Sequence, residues 1–515
     1  MKWNQILTAD AQRRLDVASI ESGTAAEVLM ESAGSHAADW MLTQSGFQTV
    51  VVLAGPGGNG GDGFVVARRL IEDGKDVRTI SRSPMGALAG ATRTMAERLA
   101  ASGGPVGCYG EDVCRDELCA DLASCDWIVD AWFGSGLGRP LQGEDATLVE
   151  AVNAAQTPVV SLDLPSGLLS DDGRCIGPAI HADDTLAMQY YKLAHWLEPA
   201  AKACGCVHIV AVDYPEDVLA EVAPVAVVPT QEAMSGYLPA RPRTGHKGTF
   251  GKLLVVGGSE RMKGAAVLAC RAALRAGTGL VTLMHPESIA PSIAAAVPEA
   301  LTLPMPDRDG AFLDTEFSSE TRDILSMQQV LAVGPGIGRT KAALAFVRRI
   351  LHAFDGPVVL DADALHAIAG DTCLLKQVAG RAVLTPHPGE MAQLANISVA
   401  SIQADRLKVA RSFAVAQGVV LLLKGRPTVT AFPNGQCVVN PTGNQGLATG
   451  GSGDVLTGLL GGLIAAGVSV EHAAALSAYV HGAAADCWAS RYAARTLIPS
   501  DLVDLVPEIL KEIES

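Results

Sequence analysis

The sequence predicts two successive α/β domains, each a mostly parallel sheet with helices on both faces, and three observations carry that reading. The chain has 515 residues, more than one hydrophobic core usually supports. Short β-branched apolar runs alternate with stretches of helical periodicity, the pattern of strand–helix–strand units. Many of the 54 glycines fall directly after those runs, where strand-to-helix turns are made.

The elements follow in order. Up to about residue 45 the apolar positions Leu15, Ala18, Ile20, Val28, Leu29 and Met30 recur at helical spacing. Thr49–Ala54 reads as a strand, followed by a glycine-rich turn and a helix through Leu70 and Ile71. Further strands are expected at 77–80, 127–129, 159–162 and 185–188. Pro224, Pro229, Pro239 and Pro242 then break the pattern. The segment 222–246 reads as the junction, placing the domains at 1–225 and 226–515. A second series begins at 253–256, with strands at 330–333, 358–360, 383–384 and 419–423. No fixed-period repeat relates the halves.

Composition excludes several classes. With 49% hydrophobic and 18% charged residues, the chain is not of the disordered type. A net charge of -16 with no basic cluster excludes a nucleic-acid footprint. A nucleotide ligand stays open, because backbone amides at helix starts hold phosphate without side-chain charge. The 11 cysteines are scattered; Cys204 and Cys206 flank a glycine, but no second pair lies at zinc-ligand spacing. Reduced cysteines in a cytoplasmic protein are expected. The start Met-Lys-Trp-Asn-Gln lacks a signal-peptide core, and the longest apolar helical stretch, 455–468, is too short to span a bilayer.

Three loops in the first half carry chemistry. Ala54-Gly-Pro-Gly-Gly-Asn-Gly-Gly-Asp-Gly63 lies between a strand and a helix, where successive N–H groups and a helix start converge on an anion. It departs from the usual dinucleotide fingerprint: Ser81, Arg82 and Ser83 follow the second strand in place of an acid. Arg82 reads more readily as a solvated surface charge than as a ribose-phosphate contact. The others are Asp130-Ala-Trp-Phe-Gly-Ser-Gly-Leu-Gly-Arg-Pro140 and Asp163-Leu-Pro-Ser-Gly167. All three follow strands and should line one crevice at their carboxyl ends.

With Leu29-Met-Glu-Ser-Ala-Gly34, these loops resemble the NAD(P)H-hydrate epimerase family over residues 8–213 or so. The resemblance implies a Rossmann-like doubly wound fold and a potassium ion held by Asn59, Asp130 and Ser166, oxygen donors suited to a hard cation. It implies Asp163 as the acid/base and Lys192 as an active-site lysine. Substrate contacts fall to Gly58, Asn59, Gly60, Gly61, Asp62, Asp163 and to Gly134, Ser135, Gly136, Leu137, Gly138, Arg139 and Pro140. Two departures stand out: Gly58 replaces the asparagine frequent before Asn59, and Leu-Ala-His follows Lys192 without the usual glycine.

In the second half, Asn444-Gln-Gly-Leu-Ala-Thr-Gly-Gly-Ser-Gly-Asp-Val-Leu-Thr-Gly458 opens a long apolar helix with one aspartate at its start. Free N–H groups there stabilise a transferring phosphoryl group, and Asp454 is placed to act on a hydroxyl facing it, with helix capping as the plainer role. His387 lies between two prolines after a strand, a loop with no evident core role. Asp361 and Asp363 end the preceding strand; either reaches a magnesium ion or nucleotide, or caps a helix.

The Gly-x-Gly-Asp signature resembles the ribokinase-like fold. Lys263-Gly-Ala-Ala, Val333-Gly-Pro-Gly-Ile-Gly338, Thr385-Pro-His-Pro-Gly-Glu-Met391 and Leu422-Leu-Lys-Gly-Arg-Pro-Thr428 narrow the likeness to ADP/ATP-dependent NAD(P)H-hydrate dehydratases. That implies substrate contacts at Ala265, Gly336, His387 and Asp454, and nucleotide contacts at Lys424, Gly425, Arg426, Pro427, Thr428 and Gly453. The resemblance as a whole implies a bifunctional repair enzyme acting on hydrated NADH and NADPH, with potassium, magnesium and ADP. It implies a homo-oligomer with neither nucleic-acid nor membrane partners. One alternative is a hydroxymethylpyrimidine-like kinase in the second half, joined to a non-catalytic dinucleotide-binding first half.

Overall fold

The computed structural model describes residues 3–515, the side chain of Thr372 excepted. The chain divides into two compact units, Asn4–Ala226 and Val227–Ser515 together with Trp3. No helix among the described residues is long and apolar enough to cross a membrane.

The first unit opens with two helices, α1 (Ala9–Glu21) and α2 (Ala26–Leu42). Its sheet is built from β1 (Thr49–Ala54), β2 (Asp76–Ser81), β3 (Val106–Cys108), β4 (Trp127–Ala131), β5 (Val159–Leu162), β6 (Asp184–Met188) and β7 (Cys206–Val210). The spatial order is β3-β2-β1-β4-β5-β6-β7, parallel throughout. Helices α3 (Gly58–Glu72), α4 (Gly90–Ala101), α5 (Arg115–Ser124) and α6 (Glu144–Ala154) connect the strands.

Strand β1 shows why both faces must be covered. Val50, Val52 and Ala54 pack with Phe64, Leu70 and Leu29, while Val51 and Leu53 pack with Leu118, Leu148 and Val152. The period-2 alternation of a strand sends neighbouring β-branched residues into two separate cores. Chain order reverses at β1, which opens a crevice between the carboxyl ends of β1 and β4. The glycine-rich turn and the Asp130 loop leave from there.

The second unit has β8 (Lys252–Val256), β9 (Leu280–Pro286), β10 (Leu301–Met305), β11 (Val330–Val333), β12 (Val358–Leu360), β13 (Ala382–Leu384), β14 (Val420–Leu423), β15 (Val429–Ala431) and β16 (Cys437–Val439). Their order is β16-β15-β14-β13-β12-β11-β8-β9-β10. Pairing is parallel from β14 to β10, and antiparallel for β14–β15 and β15–β16. Helices α7 (Lys263–Arg275), α8 (Lys341–His352), α9 (Pro388–Ala395), α10 (Arg406–Gln417), α11 (Ser452–Ala465), α12 (Val470–Arg491) and α13 (Pro499–Glu514) cover it. This is the α/β architecture, a mostly parallel sheet covered by helices, expected of this half. Helix α11 is buried along nearly its whole length. Its glycines let α7 approach: a β-carbon on Gly458 would stand 1.9 Å from the Ala269 carbonyl oxygen.

Several strands go unread in the sequence: β3, β7, β9, β10, β15 and β16. The short ones, β3, β15 and β16, carry three residues each, and β7 and β10 expose most of their residues at the sheet margins. Neither kind shows the run of apolar residues that marks a central strand. The apolar positions Ile20 and Val28, part of the expected helical stripes, are exposed, at 46% and 55%.

Gly458→Ala is expected to lower the unfolding free energy by about 1–3 kcal/mol through overpacking against α7. A urea midpoint equal to that of the unmodified chain would show that the two helices part freely.

Candidate active sites

A cavity of about 820 Å³ opens at the carboxyl ends of β1, β4 and β5. Gly58, Asn59, Gly60, Asp62, Asp163 and the run Gly134 to Arg139 line it. Gly61 lies behind the lining, against the Met30 thioether, and Pro140 packs on Gly177.

Asp163 directly follows β5 with φ at 59°, the left-handed region that a branched carboxylate residue rarely occupies and that tends to mark functional turns. Three contacts hold it there. Its amide donates to the Leu186 carbonyl at 2.8 Å, His195 Nε2 lies 2.8 Å from its carbonyl oxygen, and the Ser135 amide reaches Oδ2 at 3.3 Å. Lys192, fully buried, donates from Nζ to Asp163 Oδ1 at 2.9 Å and to the Tyr190 carbonyl at 3.1 Å. Burial alone pushes Asp163 up, yet the Lys192 ammonium outweighs it and holds the carboxyl below its usual range. Burial and Lys192 together lower His195 to about 4. The neutral ring accepts the Lys192 amide at Nδ1, 3.1 Å away, and donates from Nε2, so one imidazole joins the main chains of both residues. The histidine that breaks the family pattern after Lys192 has this use.

Asp130, at the end of β4, is completely buried, and its partners are all neutral: the Ser161 and Ser166 hydroxyls and the Ser166 and Trp132 amides. The Ser166 hydroxyl lies 2.6 Å from its Oδ1 and also accepts the Phe133 amide at 2.7 Å. Asn59 packs against Gly134, and its buried Oδ1 and Nδ2 have no partner among the described residues. A buried carboxylate without a cation and an orphaned amide oxygen, both beside residues 133–134, fit a hard monovalent ion.

Arg82 is not a free surface charge. It forks onto Asp145 at 2.6 and 2.8 Å and lies over the Phe133 ring, 5.4 Å from its centroid, pinning the loop after β4.

In the second unit the loops after β8, β11, β12, β13 and β14 and the start of α11 supply the expected residues. Gly451 enters the helix with φ at 102°, a conformation open to glycine, and Asp454 sits in the first turn without capping it. Lys424 Nζ donates to Asp361 Oδ1 at 2.8 Å, and the Thr457 hydroxyl to Oδ2 at 2.7 Å. A β-carbon placed on Gly453 would lie 3.4 Å from Lys424 Nζ, so nucleotide-loop lysine and helix start are neighbours. Burial, then Asp361, raises Asp454 to about 7. Burial raises Asp361 as well, but Lys424 outweighs it and holds the carboxyl low.

Asp361 is thus committed to Lys424 and Thr457, and Asp363 to the Gly338 amide and Arg339 Nε, at 2.9 and 2.8 Å. Both carboxylates set loop geometry. Ala265 lies next to Gly336. His387 heads α9: Nδ1 accepts the Gly389 and Glu390 amides, and Nε2 lies 3.5 Å from Glu390 Oε1 on a half-exposed ring.

Sequence reasoning missed Arg406. Its buried guanidinium donates to the carbonyls of Leu423, Lys424 and Pro427, bracing the expected nucleotide loop from behind. Nothing in the local sequence of α10 signals it.

Comparison with known proteins covers both units. The family described as NAD(P)H-hydrate dehydratase matches residues 253–508, and the YjeF-related protein N-terminus family matches residues 26–194. A Moorella thermoacetica protein named bifunctional NAD(P)H-hydrate repair enzyme Nnr is 38% identical, over 99% of this chain and 97% of its own. An Escherichia coli protein of the same name is 32% identical over 95% of this chain and 88% of its own. Among solved structures, an ADP/ATP-dependent NAD(P)H-hydrate dehydratase from Bacillus subtilis, co-crystallised with ATP and Mg2+, is 35% identical. It covers 55% of this chain and 98% of its own, with a TM-score of 0.46.

Lys192→Met is expected to destabilise the first unit by about 3–5 kcal/mol at pH 7, because Asp163 is left buried and unpaired. The pair's stabilisation is present above the ordinary aspartate value of 3.8 and is lost as pH falls through the lower folded-state value. The gap between variant and unmodified chain, read by urea unfolding, should therefore narrow in acid. A gap constant with pH would mean that packing and not charge is responsible.

Proposed function

The chain belongs to the family of bifunctional NAD(P)H-hydrate repair enzymes, and from that premise we propose how its two sites divide the repair. The first unit interconverts the R and S hydrates of NADH and NADPH, and the second dehydrates the S hydrate at the expense of ADP, releasing AMP and phosphate. Water adds to either face of the nicotinamide ring, so a dehydratase selective for one epimer needs the epimerase for the rest. The observation that carries the reading is the pair of chemically distinct carboxylates: Asp163 held ionised against Lys192, and Asp454 unpaired at a helix start beside Lys424.

In the first unit the glycine-rich turn, Gly58, Asn59, Gly60 and Asp62, with Gly134 to Arg139, receives the hydrate, its anionic groups meeting backbone N–H donors at the start of α3. Gly61 and Pro140 support these loops from behind. Asp163 exchanges a proton with the oxygen on the carbinol carbon and Lys192 is its cationic counterpart. Asn59, Asp130 and Ser166 would hold a potassium ion, which would supply a counter-charge to Asp130 and fix the loops around the cavity.

In the second unit Ala265, Gly336, His387 and Asp454 position the S hydrate, and Lys424, Gly425, Arg426, Pro427, Thr428 and Gly453 hold the nucleotide. Hydroxide is a poor leaving group at neutral pH, so the hydroxyl is first made a phosphate ester. Asp454 accepts its proton while amides at the start of α11 and Lys424 stabilise charge on the transferring phosphoryl group. Phosphate then departs and the ring double bond is restored. Magnesium would come with the nucleotide phosphates and supply positive charge there, with Asp361, Asp363 and Asp454 the carboxylates near enough to help hold it. Eleven free cysteines accord with work in a reducing cytoplasm. The kinase alternative loses its ground because relatives match both halves at once, over nearly the full chain.

Incubation with both NADPH hydrate epimers, potassium, magnesium and ADP should restore the full absorbance at 340 nm. Asp454→Ala should abolish that recovery, and Asp163→Ala should leave only the S fraction recovered. A stable phosphorylated product in place of free phosphate would instead establish a kinase.

The base form of Asp454 is the active one, so the dehydration rate should rise with pH through about 7. Asp361→Asn removes a charge that raises Asp454, so the limb of the pH–rate profile should move to lower pH. A limb that stays in place in that variant assigns it to another group.

A further inference from the structure

The same cavity holds a second set of proton-bearing groups that the proposed reaction has not used. Asp16 and Gln12, on α1, and Tyr214, just after β7, line it together with Asp163. The Tyr214 hydroxyl donates to Asp16 Oδ1 at 2.6 Å and accepts from Gln12 Nε2 at 2.8 Å. The three side chains form a chain anchored at the packing of Leu15 and Tyr190 with Tyr214, so the same cluster that carries Tyr214 carries the residue whose carbonyl binds Lys192. Among the described residues no salt bridge reaches Asp16; Tyr214 engages its Oδ1, and Gln12 also hydrogen-bonds the carboxyl. With no cation committed to it, the carboxyl faces the cavity it lines.

Inversion at the hydrated carbon poses a two-sided problem. The departing hydroxyl needs a proton on one face of the ring, and the returning water must lose a proton on the other. Asp163 is ion-paired and anchored on its own side, and a single anchored carboxylate does not serve both faces. Resting on the epimerase reading of this unit, we propose that Asp16 is the second acid/base group of the epimerase, with Tyr214 as its positioning residue. The carbon–oxygen bond breaks with its electron pair going to oxygen, which takes a proton and leaves as water, while the ring nitrogen shares its lone pair with the carbon. Water then adds to the opposite face and gives its proton to the other carboxylate. Each turnover exchanges one water for another and returns one proton, so neither oxidant nor reductant is needed. Because R and S hydrates interconvert, Asp16 and Asp163 exchange the roles of acid and base between the two directions.

The charged and titratable groups facing Asp16 fit this use. Burial raises it first and the Asp163 carboxylate adds to that, while Tyr214, Gln12 and Lys192 pull it down. Asp62, on α3, is pushed well above its usual value by burial, Asp163 and Asp16. Asp16 and Asp62 thus shift upward while Asp163 shifts downward, the divergence of two carboxyls that acid–base catalysis uses.

The test follows epimerisation of purified R hydrate by chromatography without nucleotide, so that the second unit is idle. Asp16→Asn should lower kcat by at least about 100-fold, with KM changed less than threefold, and Asp16→Glu should recover part of the loss. Tyr214→Phe should lower kcat less than Asp16→Asn does and displace the pH profile toward higher pH, since the Tyr214 hydrogen bond holds Asp16 down. Retention of kcat within threefold in Asp16→Asn, a loss confined to KM, or equal losses in the Asn and Glu variants with a lowered melting temperature would each overturn the assignment. Asp163→Ala keeps the two readings apart. If it is inactive while Asp16→Asn is active, the role of Asp16 alone fails; if the unmodified chain itself leaves the R hydrate unchanged beyond the protein-free rate, the epimerase reading fails with it.

Discussion

A carboxylate taken out of water destabilises the fold unless a cation lies in contact with it, and both sites are arranged around that constraint. Lys192 meets Asp163 at 2.9 Å and Lys424 meets Asp361 at 2.8 Å, each at the carboxyl end of a parallel strand. In neither case is the pair a surface ornament: Lys192 and Asp361 are at or near zero exposure. The pairs set loop positions, because an ammonium bound to a carboxylate and a carbonyl at once ties together segments distant in sequence. The contact of Lys192 with Tyr190 does this for the loops after β5 and β6.

The two units apply the constraint in opposite ways. In the first, the paired carboxylate is the proposed reacting group, and its ammonium holds it below its usual range. In the second, the paired carboxylate is a support, and the proposed reacting one, Asp454, has no salt bridge among the described residues. Its burial, together with the Asp361 charge, raises it to about 7, where a base can both take a proton and give it up. One arrangement suits a reversible proton exchange, and the other a single deprotonation coupled to phosphoryl transfer. The Asp130 carboxylate is a third case: its partners among the described residues are all neutral hydroxyls and amides, and burial raises it from its usual value.

Much of this was legible in the sequence, and the limits have physical causes. Central strands such as β1 and β11 read clearly because burial on both faces demands unbroken β-branched runs. Margin strands such as β10, exposed along most of its length, carry no such signature. Loops at strand ends were found because glycine and aspartate there have few structural uses. Their side-chain partners were not: the Asp163–Lys192 pairing spans 29 positions and the Asp361–Lys424 pairing 63, and no local pattern records a long-range ion pair. Arg406 and Asp16 were missed for the same reason, since each sits on a helix whose sequence reads as an ordinary amphipathic surface. Arg82 was misread because its Asp145 partner lies 63 positions away.

Strain and support can be read from the same residues. Asp163 occupies φ 59° and Ala362, between the two aspartates after β12, occupies φ 48°. Such conformations are costly for residues other than glycine and persist only where the surroundings over-determine them. Around Asp163 the surroundings are the Leu186 carbonyl, the His195 ring and Lys192; around Ala362 they are the bonds of Asp361 and Asp363 on either side. A neutral imidazole suits the first of these positions because it donates at one nitrogen and accepts at the other, adding no charge beside an ion pair that is already balanced. A protonated ring there would lose the Lys192 amide and place a second cation against Asp163. Burial that keeps His195 uncharged is therefore part of what keeps Asp163 basic, and the reactivity of the site extends back to a residue that does not line the cavity.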